Sequence, residues 1–154
     1  MSCTRRDLLG ASAAVPLALA TPALAQSGPI RIGMITTLSG PGAALGNDIR
    51  DGFNLVVKNA GGRLGGLPVE VVIADDALRP ENGRAIAERM VRRERIQVLT
   101  GIVFSNVMLA VAPVVLPAAT YISANAGPSQ LAGEACHANY FNVAWQNDNL
   151  HEAV

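Results

Sequence analysis

Two short stretches of this sequence gather hydroxyl and amide groups with no charge among them: Phe104-Ser105-Asn106 and Ala124-Asn125-Ala126. A third, Thr36-Thr37-Leu38-Ser39-Gly40, has the same character. Such groups hold a small polar molecule; they do not transform it. A helix starting near Ser105 leaves the amide hydrogens of its first turn without helical acceptors, and an anion such as a carboxylate is their natural partner. Ser105 or Asn106 also reads as the side-chain cap of that helix. Asn125 reads as a turn former. Both roles are compatible with contact to a ligand.

Groups that could do covalent or proton-transfer chemistry are sparse. His137 stands next to Cys136, and adjacent residues rarely face each other as a dyad; the only other histidine is His151. No ligand spacing suits zinc, and no G-x-S-x-G elbow is present. Asp75-Asp76, at the end of an apolar run, could be compared with a phospho-acceptor pair, but Pro80 follows closely and the pair reads as a capped turn. Gly40-x-Gly42-x-x-x-Gly46 is the sharper rival, because it resembles a dinucleotide-binding fingerprint of an exported oxidoreductase. That motif wants an acid about 20 residues further on, and Lys58 to Pro68 holds none. The expectation is a binding protein, not an enzyme, with no cofactor and no metal.

The elements that would position these groups alternate in type. Ile30–Thr36 reads as a strand, and Ala43–Ala60 as a helix with Ile49, Phe53, Val56, Val57 and Ala60 inward. Leu67–Ala74 is apolar on both faces, as a strand covered on each side should be. Pro80 and Glu81 suit a helix start, and that helix should reach about Arg93 with Ile86, Ala87 and Met90 inward. Ile96–Thr100 is a third strand. The helix after Ser105 meets Pro113 and Pro117 and should kink or end early. Thr120–Ser123 and Tyr140–Ala144 complete the strands, and Asn147 or Asp148 opens a last helix. This order predicts an α/β fold with a doubly wound, mainly parallel sheet. In such a sheet ligands sit beyond the carboxyl ends of the strands, where Ser39, Ser105 and Asn125 all fall.

Bulk properties agree with a single globular unit: 154 residues, 50% hydrophobic, 16% charged, formal net charge zero. That balance gives no footprint for nucleic acid or for an anionic membrane. The N-terminus reads as an address. Arg5-Arg6 precede an Ala-rich apolar run, Leu8 to Leu24, that ends in Ala23-Leu24-Ala25. The pattern fits an export signal of residues 1–25, twin-arginine-like, cleaved before Gln26. The run is too Ala-rich and too broken by Pro16 and Pro22 to span a bilayer, so no membrane span is expected after cleavage. Cys136 is then the one cysteine of the mature chain, either a quiet thiol or half of a pair whose partner lies elsewhere.

Ile30–Ala60, with Ser39-Gly40-Pro41 and Leu45-Gly46, resembles the opening of periplasmic solute-binding proteins of the leucine/isoleucine/valine type. So do Asp75-Asp76-Ala77 before Pro80, Gly101 with Ser105, Asn125-Ala126-Gly127-Pro128-Ser129, Leu131-Ala132-Gly133 and Trp145-Gln146-Asn147-Asp148. The resemblance covers residues 28–154. It implies the first lobe of a two-lobed periplasmic receptor, residues 26–154 being that lobe without its C-terminal completion. Such a receptor closes on a small amino acid or organic carboxylate and delivers it to an ABC transporter permease; a sensory domain of the same fold is the alternative. The resemblance further implies ligand contacts at Ser39, Leu45, Phe104, Ser105, Asn106, Ala124, Asn125 and Ala126. Leu45 stands where relatives often carry an aromatic. Leu78 and Phe104 stand where some pair cysteines, so that bridge is absent. The Asn-Ala-Gly-Pro-Ser block looks more like relatives that take other small organic acids, aromatic carboxylates included.

Overall fold

The computed structural model describes residues 28–152. The export-signal reading of residues 1–25, with Cys3 and the cut before Gln26, lies outside them. In chain order the elements are β1 (Ile30–Thr36), α1 (Ala43–Asn59), β2 (Arg63–Leu64), β3 (Leu67–Asp75), α2 (Pro80–Arg89), β4 (Val98–Thr100), α3 (Ser105–Val115), β5 (Thr120–Ser123), α4 (Ser129–Ala132), β6 (Tyr140–Asn142) and α5 (Asn147–Glu152). The sheet order is β2-β3-β1-β4-β5-β6. Strands β3, β1, β4, β5 and β6 run parallel, and β2 is a short antiparallel flap on β3.

Local chemistry explains the boundaries. Pro80 opens α2 and Glu81 lies in its first turn, so a missing N–H and a negative charge sit where the helix dipole tolerates them. α2 does not run to Arg93 as one α-helix; it widens into a π-helical turn at Met90–Glu94 and stops at Arg95, whose φ is 53°. The third helix is not cut short by Pro113, which lies within α3, and the helix ends ahead of Pro117. The β2 flap and α4 fall in stretches whose glycines and small residues read only as loop.

Register sorts the side chains by face. Val72, Gly33, Leu99, Tyr121 and Tyr140 stand in one row across the sheet, with Ala74 and Ile35 beside it. This face is covered by α2 and α3, whose Ile86, Ala87, Met90, Val107, Met108, Val111 and Val115 join Ile35, Leu99 and Tyr121 in one buried cluster. A Cβ on Gly33 would stand 2.9 Å from both the Met90 sulfur and Ile96 Cδ1, so the π turn rests directly on β1. Each large side chain removed from water here contributes about 1.5–3 kcal/mol.

Among the described residues, the opposite face carries α1 alone. Gly46 is fully buried there because a Cβ would overlap the Thr37 carbonyl and crowd Thr36 Oγ1. Beneath α1, Ile32 and Met34 are buried. The expected inward stripe of α1 is corrected at one edge. Ile49, Phe53 and Val57 are half-buried, whereas Val56 is 59% exposed and Ala60 is also exposed. The reading of β3 as covered on both sides is corrected for the same reason: Val72 packs against the core, but Ile73 is 36% exposed.

Candidate ligand-binding site

The chain leaves β1 for β3 on one side and returns over β1 to β4 on the other. The connections after β1 and β4 therefore diverge, α1 going to one face and α3 to the other. This divergence is the topological switch point, and open α/β sheets take ligands beyond the carboxyl ends of the strands there. Ser39 and Leu45 lie on the β1–α1 side of it, Phe104, Ser105 and Asn106 on the β4–α3 side, and Ala124 and Asn125 follow β5.

These segments are physically joined. A Cβ on Gly42 would stand 2.6 Å from the Phe104 ring and 3.3 Å from Leu78 Cδ1. The aromatic side chain thus lies across the turn after β1, and glycine there makes room for it. Asn125 Nδ2 donates to the Val103 carbonyl at 2.6 Å, tying the β5 loop to the segment before α3. Ser105 and Asn125 therefore share one border of the sheet.

Ser105 is not the cap of α3. The N-cap is Phe104, extended at φ −110° and ψ 137°, with no side-chain cap bond. The first helical bond runs from Met108 N–H to the Phe104 carbonyl at 3.1 Å. The N–H groups of Ser105, Asn106 and Val107 thus have no acceptor within the helix. The Ser105 hydroxyl pairs instead with Asn147 at the start of α5: Asn147 Nδ2 donates to Ser105 Oγ at 3.0 Å. Asn147 read only as a helix opener in the sequence. Extending the strand-end rule to the last strand is the signal that would have found it.

Two of the expected contacts are placed differently. Ala126 is 2% exposed, and its carbonyl already accepts from the Ser123 hydroxyl at 2.5 Å and the Tyr140 hydroxyl at 3.1 Å. It supports the rim from beneath. Burial raises the Tyr140 hydroxyl above its ordinary range, so it keeps the proton it donates. Ser39 is exposed, and its hydroxyl and N–H face Asp75. Burial alone would push that carboxyl up, but hydrogen bonds from Ser39, Leu38 and Ala77 outweigh it and hold Asp75 below the usual carboxylate range.

The acid pair itself closes a turn. Asp75 Oδ1 accepts from the Leu38 and Ala77 N–H groups, each at 2.8 Å. Asp76 Oδ1 accepts from the Thr37 hydroxyl at 2.7 Å and the Leu78 N–H at 2.8 Å. The bonds hold Ala77 and Leu78 at φ 52° and 60°, a conformation that costs about 1 kcal/mol or more per non-glycine residue. The glycines of the supposed dinucleotide fingerprint are likewise spoken for: Gly40 turns at φ 74°, Gly42 lies under Phe104, and Gly46 packs on Thr37. His137 Nδ1 accepts from Asn139 N–H in an exposed loop, and Cys136 is an exposed free thiol. Among the described residues no cluster of three metal-binding side chains occurs, and no helix is long and apolar enough to cross a membrane.

An α/β sheet wound in this way matches the lobe of a periplasmic binding protein. Residues 29–154 match the periplasmic binding protein family, and the chain belongs to it. Over 86 residues it is 32% identical to Leu/Ile/Val-binding protein homolog 6 of Brucella abortus, a match spanning 55% of this chain and 22% of that one. An ABC transporter substrate-binding protein from Sphaerobacter thermophilus superposes with a TM-score of 0.72 at 35% identity, covering 77% of this chain and 33% of the other. A solute-binding protein from R. palustris, solved with benzoate, gives 0.78 at 29%, covering 82% and 35%. LivJ from Streptococcus pneumoniae, solved with isoleucine, gives 0.69 at 25%, covering 77% and 34%. The chain thus spans about a fifth of the curated relative and about a third of the solved ones.

Proposed function

We propose that this chain is the first lobe of a periplasmic receptor that captures a small carboxylate, an amino acid or an organic acid, for delivery to an ABC transporter permease. The observation that carries the reading is the start of α3. There the unpaired N–H groups of Ser105–Val107 lie beside the Ser105 hydroxyl, at the switch point between β1 and β4. A carboxylate is the anion such donors suit. Phe104, with exposed Leu45 across the switch point, adds apolar surface next to them, which suits a ligand with a flat or branched apolar body. The complexes of similar proteins with benzoate and isoleucine fall within that class.

Residues 26–154 act as the gripping lobe and residues 1–25 as its export signal, which places the protein in the periplasm. The relatives are more than twice as long as this chain; an opposing lobe built from such further polypeptide completes the cleft, and this chain alone binds weakly or not at all. A thermal-shift panel of carboxylates, run on this chain and on a form extended to the relatives' length, tests the reading. A ligand that binds the native state raises the melting temperature by mass action. The expected result is stabilisation of the longer form by a carboxylate and not by its amide, with Ser105→Ala abolishing the shift. Failure of every carboxylate to stabilise the longer form would overturn it. Mass spectrometry of the exported product should find Gln26 at its N-terminus.

A further inference from the structure

The Ser105 hydroxyl is held by a residue that opens α5. Asn147 Nδ2 lies 3.0 Å from Ser105 Oγ, and Asn147 Oδ1 lies 3.4 Å from it. In the nearer contact the amide donates and the hydroxyl accepts. A serine hydroxyl carries one proton and two lone pairs. With a lone pair taken by Asn147, its proton is left to point elsewhere. Among the described residues the one acceptor within reach of that proton is Asn147 Oδ1, at the longer distance. An anion arriving at the start of α3 is a better partner for it.

Asn147 is itself fixed by bonds that do not involve Ser105. Its backbone N–H donates to the Gly127 carbonyl at 2.8 Å. Gly127 rests directly on the turn ahead of α5, where a Cβ would overlap the Trp145 carbonyl and stand 2.8 Å from Asn142 Nδ2. Asn142 shapes that turn, accepting from the Ala144 N–H at 3.0 Å and donating to the Trp145 carbonyl at 3.2 Å. One residue thus spans the loops that follow β4 and β5, its side chain on the first and its main chain on the second. Orientation set in advance spares a donor the loss of rotamer freedom on binding. We propose that Asn147 is a positioning residue of the ligand site. By donating to Ser105 Oγ it makes that hydroxyl a donor, joined with the N–H groups of Ser105–Val107 toward a carboxylate. The role presupposes the carboxylate reading of this site. It adds selectivity, because a rim of donors rejects a ligand group that must itself donate.

Asn147→Asp is the sharpest probe. Its carboxylate has the shape of the amide but only accepts, so it takes the Ser105 proton and turns oxygen lone pairs toward the ligand. Calorimetric titration of the form extended to the relatives' length, with benzoate and with isoleucine, compares the parent with Asn147→Ala and Asn147→Asp. For a carboxylate that binds the parent, affinity should fall about tenfold in Asn147→Ala and about a hundredfold or more in Asn147→Asp. The new charge also repels an anion, so the sense of the bond is read without ligand. One Asn147 side-chain amide proton should resonate downfield in the parent and lose that shift in Ser105→Ala. The main-chain bond to Gly127 survives in both Asn147 variants, so their melting temperatures should stay near the parent's. A sharp fall in melting temperature in Asn147→Ala would make the pair structural and overturn the proposal. Affinity unchanged in both variants, or no downfield proton, would overturn it while leaving the carboxylate reading intact. Silence of the parent toward both ligands would sink that reading and this role together.

Discussion

Two turns at the same edge of the sheet behave in opposite ways. After β3, the acids Asp75 and Asp76 each spend one carboxylate oxygen, Oδ1, on the turn itself, on Leu38, Ala77, Leu78 and Thr37, while Asp76 Oδ2 stays buried without a partner. After β4, the uncharged segment Phe104–Val107 leaves its donors free of helical acceptors. The more polar sequence is thus the self-contained one, and the blander sequence is the one proposed to receive a solute. What separates them is bookkeeping of hydrogen bonds, not residue type: a charge consumed internally shapes a loop, whereas unpaired backbone donors make a site.

The contrast can be broken from its rigid side first. Asp76→Ala strips the buried Thr37 hydroxyl and the part-buried Leu78 N–H of their acceptor and releases the left-handed turn at Ala77–Leu78. A loss of about 3 kcal/mol is expected, measured by urea denaturation, and a loss below about 1 kcal/mol would mean the turn is not held as described. Asp75→Asn should cost less, about 1 kcal/mol, and should also change the pH dependence. The folded Asp75 titrates below its ordinary value of 3.8. Its contribution is therefore fully present at neutral pH and is lost as pH falls below 3.8 through the folded value. The parent should lose stability across that acid range, and Asp75→Asn should lack this part of the loss.

On the open side the stability effects are smaller. Asn125→Ala removes the bond to the Val103 carbonyl and should cost about 1 kcal/mol, seen as a small drop in melting temperature. Ser105→Ala should change stability by about 0.5 kcal/mol or less, because the hydroxyl is half-buried and is no cap. Its effect belongs in ligand affinity. A large loss of stability in Ser105→Ala would sharpen the contrast the other way, making the Ser105–Asn147 pair a structural clasp.

Much of this architecture was legible beforehand. β1 and β5 have the boundaries their alternating and apolar residues predict, and α1 differs by a single terminal residue. The strand-end rule places Ser39, Ser105 and Asn125 on one edge from the sequence alone. The misreadings have physical causes. Apolar residues at Val56 and Ile73 imply burial only if something covers them, and among the described residues one face of this sheet carries α1 alone. Ser105 has the chemistry of a cap, but its hydroxyl is taken by Asn147, a residue 42 positions away that no local pattern connects to it. Ala126 lies in the right loop, yet Tyr140 and Ser123 reach it from strands and turn it inward. Local periodicity carries elements; it does not carry which hydrogen bonds are already used.

Amide chemical shifts followed through a titration with benzoate up to millimolar concentration bear most directly on the open rim. Weak binding by a single lobe is enough for this measurement. Perturbations should centre on the N–H groups of Ser105, Asn106 and Val107, leave those of Ala77 and Leu78 unmoved, and fade in Ser105→Ala. Shifts confined to other parts of the molecule, or equal movement at the Asp75–Leu78 turn, would contradict the account.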